Sequence, residues 1–109
     1  MRLGPGLLES VYEAVLSYEL QNQGLLIQKQ VPVPITYDNL LFTEAFRADI
    51  IVDDKVILEL KSLERVTKAH KKQLLTYLRL SGRKVGYLLN FGEALMKDGI
   101  SRIINGKLK

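Results

Sequence analysis

The chain of 109 residues contains no cysteine and no tryptophan, and only 7% of its residues are aromatic. Without cysteine, neither a disulfide framework nor a thiolate zinc site can form, and nothing favours an oxidising compartment. A cytoplasmic location is therefore expected. The sequence also lacks an apolar run of about 18 residues, and Glu9 and Glu13 interrupt its apolar N-terminal stretch, so neither a membrane span nor a signal peptide is expected.

The rest of the composition is that of an ordered globular protein. Hydrophobic residues make up 47% of the chain and charged residues 26%, well away from the compositions of disordered chains. The length predicts one domain over residues 1–109, without repeats, linkers or low-complexity tracts. The formal net charge of +4 suits a polyanionic partner such as a nucleic acid.

Two segments have helical periodicity. Apolar residues recur every three or four positions from residue 7 to residue 20, which predicts a helix over residues 6–22 that stops before Gly24. A second helix is predicted over residues 64–82, with Gly82 as its C-terminal stop.

The remaining segments favour strands. Prolines in residues 25–38 indicate an edge or irregular strand, followed by a turn at Asp38-Asn39. Residues 43–53 and 55–62 read as an antiparallel hairpin, and residues 84–92 as a strand buried on both faces. The tail from residue 98 fits either a short strand or a helical turn. The order α-β-β-β-α-β predicts an α/β or α+β sandwich with a parallel crossover through the second helix.

The hairpin carries charged residues at positions where a core strand would hold apolar ones. Glu59 and Lys61 share a face because side chains alternate along a strand. A three-residue loop, 53–55, centres the hairpin on Asp54 and sets Asp49 opposite Glu59, whereas a two-residue loop pairs Asp49 with Leu58.

Two opposed carboxylates repel each other unless something lies between them. With waters and a backbone carbonyl they offer the oxygen ligands that Mg²⁺ prefers, and the Lys61 ammonium could hold a metal-bound water or neutralise developing charge. The ordinary alternative is that Asp49, Glu59 and Lys61 belong to the solvent face of a hairpin, although strongly apolar neighbours argue against it.

The sequence resembles a known family at several points. "GLLESVYE" fits a G-x-x-E-x-x-Y signature at Gly6, Glu9 and Tyr12. Together with "FRADIIVDDKVILELKS", "HKKQLLTYLRLSG" and "VGYLLNFG", it makes the chain similar to GxxExxY proteins, which are grouped with the PD-(D/E)XK nuclease superfamily. The resemblance implies a restriction-endonuclease-like core, a central mixed sheet flanked by helices in the order α-β-β-β-α-β.

The resemblance also implies roles for individual residues. Asp49 resembles the motif aspartate, although Ala48 and not proline precedes it, and Glu59 with Lys61 resembles the (D/E)XK pair. Glu9 resembles the acidic residue that the first helix adds to the metal site. Catalytic roles are thus implied for Asp49, Glu59, Lys61, Gln73 and Tyr77, and metal binding for Glu9, Asp49 and Glu59.

The second helix has polar and basic residues that could face a substrate. Gln73 and Tyr77 lie four positions apart and share a face, with His70 one turn earlier. A solvated position for His70 and a core position for Tyr77 are the ordinary alternatives. Three lysines at i, i+3 and i+4 form a basic face that could follow phosphates, or a solvated helix face: Lys68, Lys71 and Lys72.

These observations favour a Mg²⁺-dependent nuclease, with Mn²⁺ as a substitute, acting on DNA in preference to RNA. The alternative is a catalytically inactive nuclease fold that binds nucleic acid or protein. A third hypothesis is an oligomerisation subunit that uses "VGYLLNF" as an edge strand. A homodimer is expected by analogy with compact nucleases of the superfamily.

Overall fold

A computed structural model of the protein describes residues 7–63, 65–92 and 99–106. The two helices and the strands of this part follow one another in chain order: α1 (Glu9–Asn22), β1 (Ile27–Tyr37), β2 (Leu40–Val52), β3 (Val56–Lys61), α2 (Lys68–Ser81), β4 (Val85–Asn90) and β5 (Ile100–Ile104).

The strands form one mixed sheet in the order β1-β2-β3-β4-β5. Neighbours are antiparallel except β3 and β4, which are parallel and are joined through α2. The predicted fold class, the edge position of β1 and the crossover are therefore confirmed. The ambiguous tail forms a strand, β5. The edge-strand hypothesis for "VGYLLNF" is wrong, because β4 lies between β3 and β5 and its backbone is paired on both sides.

The helix α1 is fixed to the sheet by a buried tyrosine. The side chain of Tyr12 is fully buried, and its ring stacks on that of Phe91, just after β4, with 4.2 Å between centroids. The Tyr12 hydroxyl accepts a hydrogen bond from the backbone N–H of Leu7 at 3.0 Å. The described helix begins at Glu9, and the predicted first helical residue, Gly6, lies outside the described residues.

Both ends of helix α2 are fixed by specific residues, and its C-terminal stop at Gly82 was predicted from the sequence. At its start, the Thr67 backbone N–H donates to Nδ1 of His70 at 3.0 Å, so His70 caps the helix. At its end, Gly82 has φ +71°, the left-handed conformation in which glycine commonly terminates helices. Within the described residues, neither helix is long and apolar enough to cross a membrane.

The helices cover opposite faces of the sheet, and each closes one hydrophobic core. The core on the α1 face contains Tyr12, Ile50, Leu58, Leu60 and Phe91. The core on the α2 face contains Val33, Phe46, Ala48, Ile51, Ile57, Leu74, Leu78 and Leu88.

The alternation of faces slips by one residue in β2, next to the hairpin. Ala48 is buried in the α2-face core and Ile50 in the α1-face core, although residues two apart in a regular strand share a face. The strand β1 has the same kind of irregularity, since Ile27 packs on the α1 face and Val31, four residues later, on the α2 face. Asp49 therefore lies where the sheet changes faces.

Candidate active site

The hairpin of β2 and β3 has the register that sets Asp49 opposite Glu59. Its paired rows are Val52↔Val56, Ile51↔Ile57 and Ile50↔Leu58, all centred on Asp54. The loop therefore comprises the three residues 53–55, as the prediction from a three-residue loop required.

At the next pair of residues, Asp49 and Glu59, the hydrogen bonds between the two strands are made by side chains. The Asp49 backbone N–H donates to Oε1 of Glu59 at 3.2 Å, and the Leu60 backbone N–H donates to Oδ2 of Asp49 at 2.9 Å. One oxygen of each carboxylate is thus fixed by the opposite strand. The other oxygens, Oδ1 of Asp49 and Oε2 of Glu59, are the ones that no backbone amide holds.

Glu59 lies in an unfavourable environment for a negative charge. Its side chain is only 7% exposed. Burial, and next the charge of the Asp49 carboxylate, raise the pKa of Glu59 to about 8, against the opposing effects of the Asp49 N–H and of Lys61. Without a metal, Glu59 therefore keeps its proton at neutral pH, and a bound cation would relieve the repulsion that the proton now relieves.

Lys61 is the last residue of β3 and lies close enough to Glu59 to act on its ionisation. Its backbone is held by β4, because the carbonyl of Lys61 accepts a hydrogen bond from the Phe91 N–H at 2.8 Å. Alternation along β3 places Glu59 and Lys61 on the face that α2 covers, since Ile57 packs there while Leu58 and Leu60 pack against α1.

A buried asparagine, to which the sequence alone assigned no role, fixes the chain just after Lys61. Asn90 is fully buried, accepts hydrogen bonds from the N–H groups of Leu63 (2.8 Å) and Gly92 (3.1 Å), and donates to the Leu63 carbonyl (2.9 Å). A β-carbon at Gly92 would overlap the Leu63 backbone. The one signal in the sequence is an asparagine that ends a nearly continuous apolar strand.

Tyr77 of α2 reaches the same site. Its ring stacks on that of Phe46 in β2, with 3.9 Å between centroids and 2° between planes. Burial, and then the charges of Glu59 and Asp49, raise the pKa of Tyr77, so its hydroxyl stays protonated and can donate a hydrogen bond. Gln73 lies one turn earlier on α2 and is exposed.

The acidic residues of α1 differ in their relation to Asp49. Glu9 is exposed in the first turn of the helix. Glu13 is half-buried, and its Oε2 accepts a hydrogen bond from Nε2 of Gln30 at 3.1 Å. The same Gln30 nitrogen lies 3.5 Å from Oδ1 of Asp49.

The carboxylate oxygens of Asp49 and Glu59 suit a hard divalent cation, but the protein offers it few ligands. Within residues 7–63, 65–92 and 99–106, no three His, Cys, Asp or Glu side chains converge closely enough to hold a metal ion. Asp49 and Glu59 form a pair, and Mg²⁺ is commonly bound by one or two carboxylates together with waters and substrate phosphates. Glu9 as a third ligand stays a prediction.

The predicted basic face lies at the start of α2. Lys68, Lys71 and Lys72 are exposed, and none of them makes an ion pair with another described residue. Their ammonium groups are therefore available to a negatively charged partner.

Comparisons with known proteins agree with this architecture. A family model described as the PD-(D/E)XK nuclease superfamily matches residues 1–103, so the chain belongs to that superfamily. Nucleases of this superfamily generally use divalent metal ions. No curated protein is similar enough to the chain to match it.

A solved structure shares the fold. The crystal structure of the protein SSO0001 superposes with a TM-score of 0.61 at 23% sequence identity, over 93% of this chain. The chain spans about half of that protein, 52% of its length. At this identity the likeness concerns the fold alone.

Proposed function

We propose that the protein is a Mg²⁺-dependent nuclease that hydrolyses phosphodiester bonds of DNA, with Mn²⁺ as a substitute metal. The observation that carries the proposal is the position of Asp49 directly opposite Glu59 on neighbouring strands. Two carboxylates meet there, each held by a backbone amide through one oxygen only, with Lys61 beside them. A structural role alone would be filled better by apolar residues in a sheet otherwise lined with Ile and Leu.

In the proposed reaction, water forms a bond to phosphorus and one phosphorus–oxygen ester bond breaks; the water gives up a proton to solvent, and the leaving ester oxygen takes up a proton from solvent to become a hydroxyl. Asp49 and Glu59 would hold the metal, with Glu9 of α1 as the proposed additional ligand. Bound there, the metal supplies Lewis-acid chemistry toward the phosphate oxygens and the water.

The remaining residues orient the reactants. The Lys61 ammonium orients the attacking water and neutralises the charge that develops on the phosphoryl oxygens. The stack on Phe46 holds the Tyr77 ring, and the Tyr77 hydroxyl is the proposed hydrogen-bond donor to the substrate phosphate on the same face. Gln73, which is exposed and lies one helical turn away, is proposed to position the same groups.

The basic face of α2 is the proposed contact with the DNA backbone. Each lysine that neutralises a phosphate makes DNA binding more sensitive to salt. Substitution of Lys68, Lys71 and Lys72 together by alanine should therefore reduce the slope of log K against log salt concentration by the amount expected for about three phosphate contacts.

We also propose a homodimer, which a light-scattering mass of one chain would contradict.

Incubation of the purified protein with labelled duplex and single-stranded DNA and with RNA tests the proposal. Cleavage should require Mg²⁺ or Mn²⁺ and stop with EDTA, and it should be lost in Asp49→Ala and Lys61→Ala. Lys55→Ala is the matched control, because Lys55 is an exposed lysine in the hairpin loop at the other end of β3. Cleavage that survives both site substitutions would contradict the proposal.

A distinct result would favour the inactive module. In that case the protein binds DNA and the triple lysine variant weakens binding, while neither metal binding nor cleavage is measurable in the wild type.

A further inference from the structure

We infer that Gln30 is a positioning residue that ties Asp49 to Glu13 of α1 and orients Oδ1 of Asp49 for metal binding. This inference rests on the proposed function. It concerns a residue of β1 that lies outside the (D/E)XK hairpin and that neither the periodicity nor the motif pattern of the sequence singles out.

The backbone at Gln30 is the first observation. Gln30 has φ +51°, in the left-handed region, although it is not a glycine. The pairs on either side, Lys29↔Ile50 and Val31↔Ala48, are regular, whereas Gln30 and Asp49 do not appear as a pair in the ladder. Side chains with a β-carbon seldom adopt this conformation, and such residues cluster at functional sites where neighbouring contacts hold them.

The slip in face alternation is the second observation, and it is explained by the first. Ile27 packs on the α1 face and Val31 on the α2 face, so β1 changes faces across Gln30 just as β2 changes faces across Asp49. The two irregularities lie opposite each other. The consequence is that the Gln30 side chain reaches α1 and Asp49 together.

The hydrogen bonds are the third observation. Nε2 of Gln30 lies 3.1 Å from Oε2 of Glu13 and 3.5 Å from Oδ1 of Asp49. Carboxylates only accept, so the amide NH₂ group, which has two N–H donors, is the end that must face both of them. The Asp49 oxygen involved is the one that the Leu60 N–H does not hold.

One amide therefore restrains the metal-facing oxygen of Asp49 and separates it from the Glu13 carboxylate. Groups that hydrogen-bond a ligating carboxylate fix its orientation, and losing one typically weakens metal binding 10- to 100-fold. We expect the low end of this range, about 10-fold, because both hydrogen bonds are exposed to solvent.

Gln30→Gly separates positioning from folding. Glycine adopts positive φ without strain, so this variant keeps or raises the melting temperature while it removes the amide. Titration of Mn²⁺ alone into metal-free protein, followed by calorimetry, should give a dissociation constant about 10-fold higher than in the wild type. Asp49→Ala, measured in parallel, should lose binding.

A double-mutant cycle tests the link to α1. Glu13→Ala should weaken Mn²⁺ binding several-fold in the wild type and leave it unchanged in Gln30→Gly, since both substitutions break one bridge. Glu19→Ala, an exposed glutamate on the same helix, is the matched control. If the effects of Glu13→Ala and Gln30→Gly on Mn²⁺ affinity are additive, the proposed link through Gln30 is wrong.

The failures are distinguishable. If Asp49→Ala loses Mn²⁺ binding and Gln30→Gly retains wild-type affinity, the inference is wrong and the proposed function stands. If the wild type binds no Mn²⁺, with or without DNA, the proposed function is wrong and the role of Gln30 is overturned with it.

Discussion

Replacing Glu59 by glutamine should stabilise the metal-free protein at neutral pH while abolishing cleavage. The pKa of Glu59 is raised from 4.5 to about 8, chiefly by burial and by the Asp49 charge. Glutamine has the same shape and keeps an acceptor for the Asp49 N–H. Its NH₂ group can also donate to the Asp49 carboxylate, as the protonated Glu59 does at neutral pH, but without the cost of keeping a proton that the unfolded chain would release.

The sign follows from proton binding. The folded state holds the Glu59 proton more tightly than the unfolded chain, so the contribution of this group to stability is complete below pH 4.5, falls as pH rises, and levels off above about pH 8. The loss is about 1.4 kcal/mol per pH unit over that window, or roughly 3 kcal/mol at pH 7.

Urea denaturation in EDTA at pH values from 5 to 8 measures this contribution. The free energy of unfolding of Glu59→Gln minus that of the wild type should increase steadily across the range. Glu44→Gln serves as the control, because Glu44 is an exposed carboxylate. A difference between Glu59→Gln and the wild type that does not change with pH would refute the reasoning.

Three further outcomes follow from the same geometry. Asn90→Ala leaves the Leu63 N–H and carbonyl without partners and should cost roughly 2–4 kcal/mol in thermal unfolding, and an unchanged melting temperature would contradict the proposed clamp. Phe46→Leu removes the stack on Tyr77 and should lower cleavage more than substrate binding, whereas a change confined to KM would argue against a role for the Tyr77 orientation. Mg²⁺ should raise the melting temperature, and more so as pH rises from 6 to 8, because binding must displace the Glu59 proton; a shift independent of pH would count against Glu59 as a ligand.

The elements that depend on local periodicity were predictable from the sequence. Helix α2 stops at Gly82 because only a residue without a β-carbon takes φ +71° freely, and that signal is local. The hairpin register followed from the loop length, and with it the placement of Asp49 opposite Glu59. Alternation along β3 then gave the shared face of Glu59 and Lys61.

What the sequence did not reveal depends on contacts between distant segments. The change of faces at Gln30 and Asp49 arises where two irregular strands meet, and neither strand contains a glycine there to mark it. The clamp of Asn90 on Leu63 joins residues 27 positions apart. His70 shares a helix face with Gln73 and Tyr77, and a solvated position was its ordinary alternative; its ring nitrogen instead accepts a backbone hydrogen bond at the start of α2.

The most direct test of the site is a crystal of the protein grown in Mn²⁺, examined by anomalous scattering. A peak about 2 Å from Oδ1 of Asp49 and from Oε2 of Glu59 is the expected result. Anomalous density for Mn²⁺ elsewhere, with none between Asp49 and Glu59, would contradict the metal site and with it the nuclease mechanism.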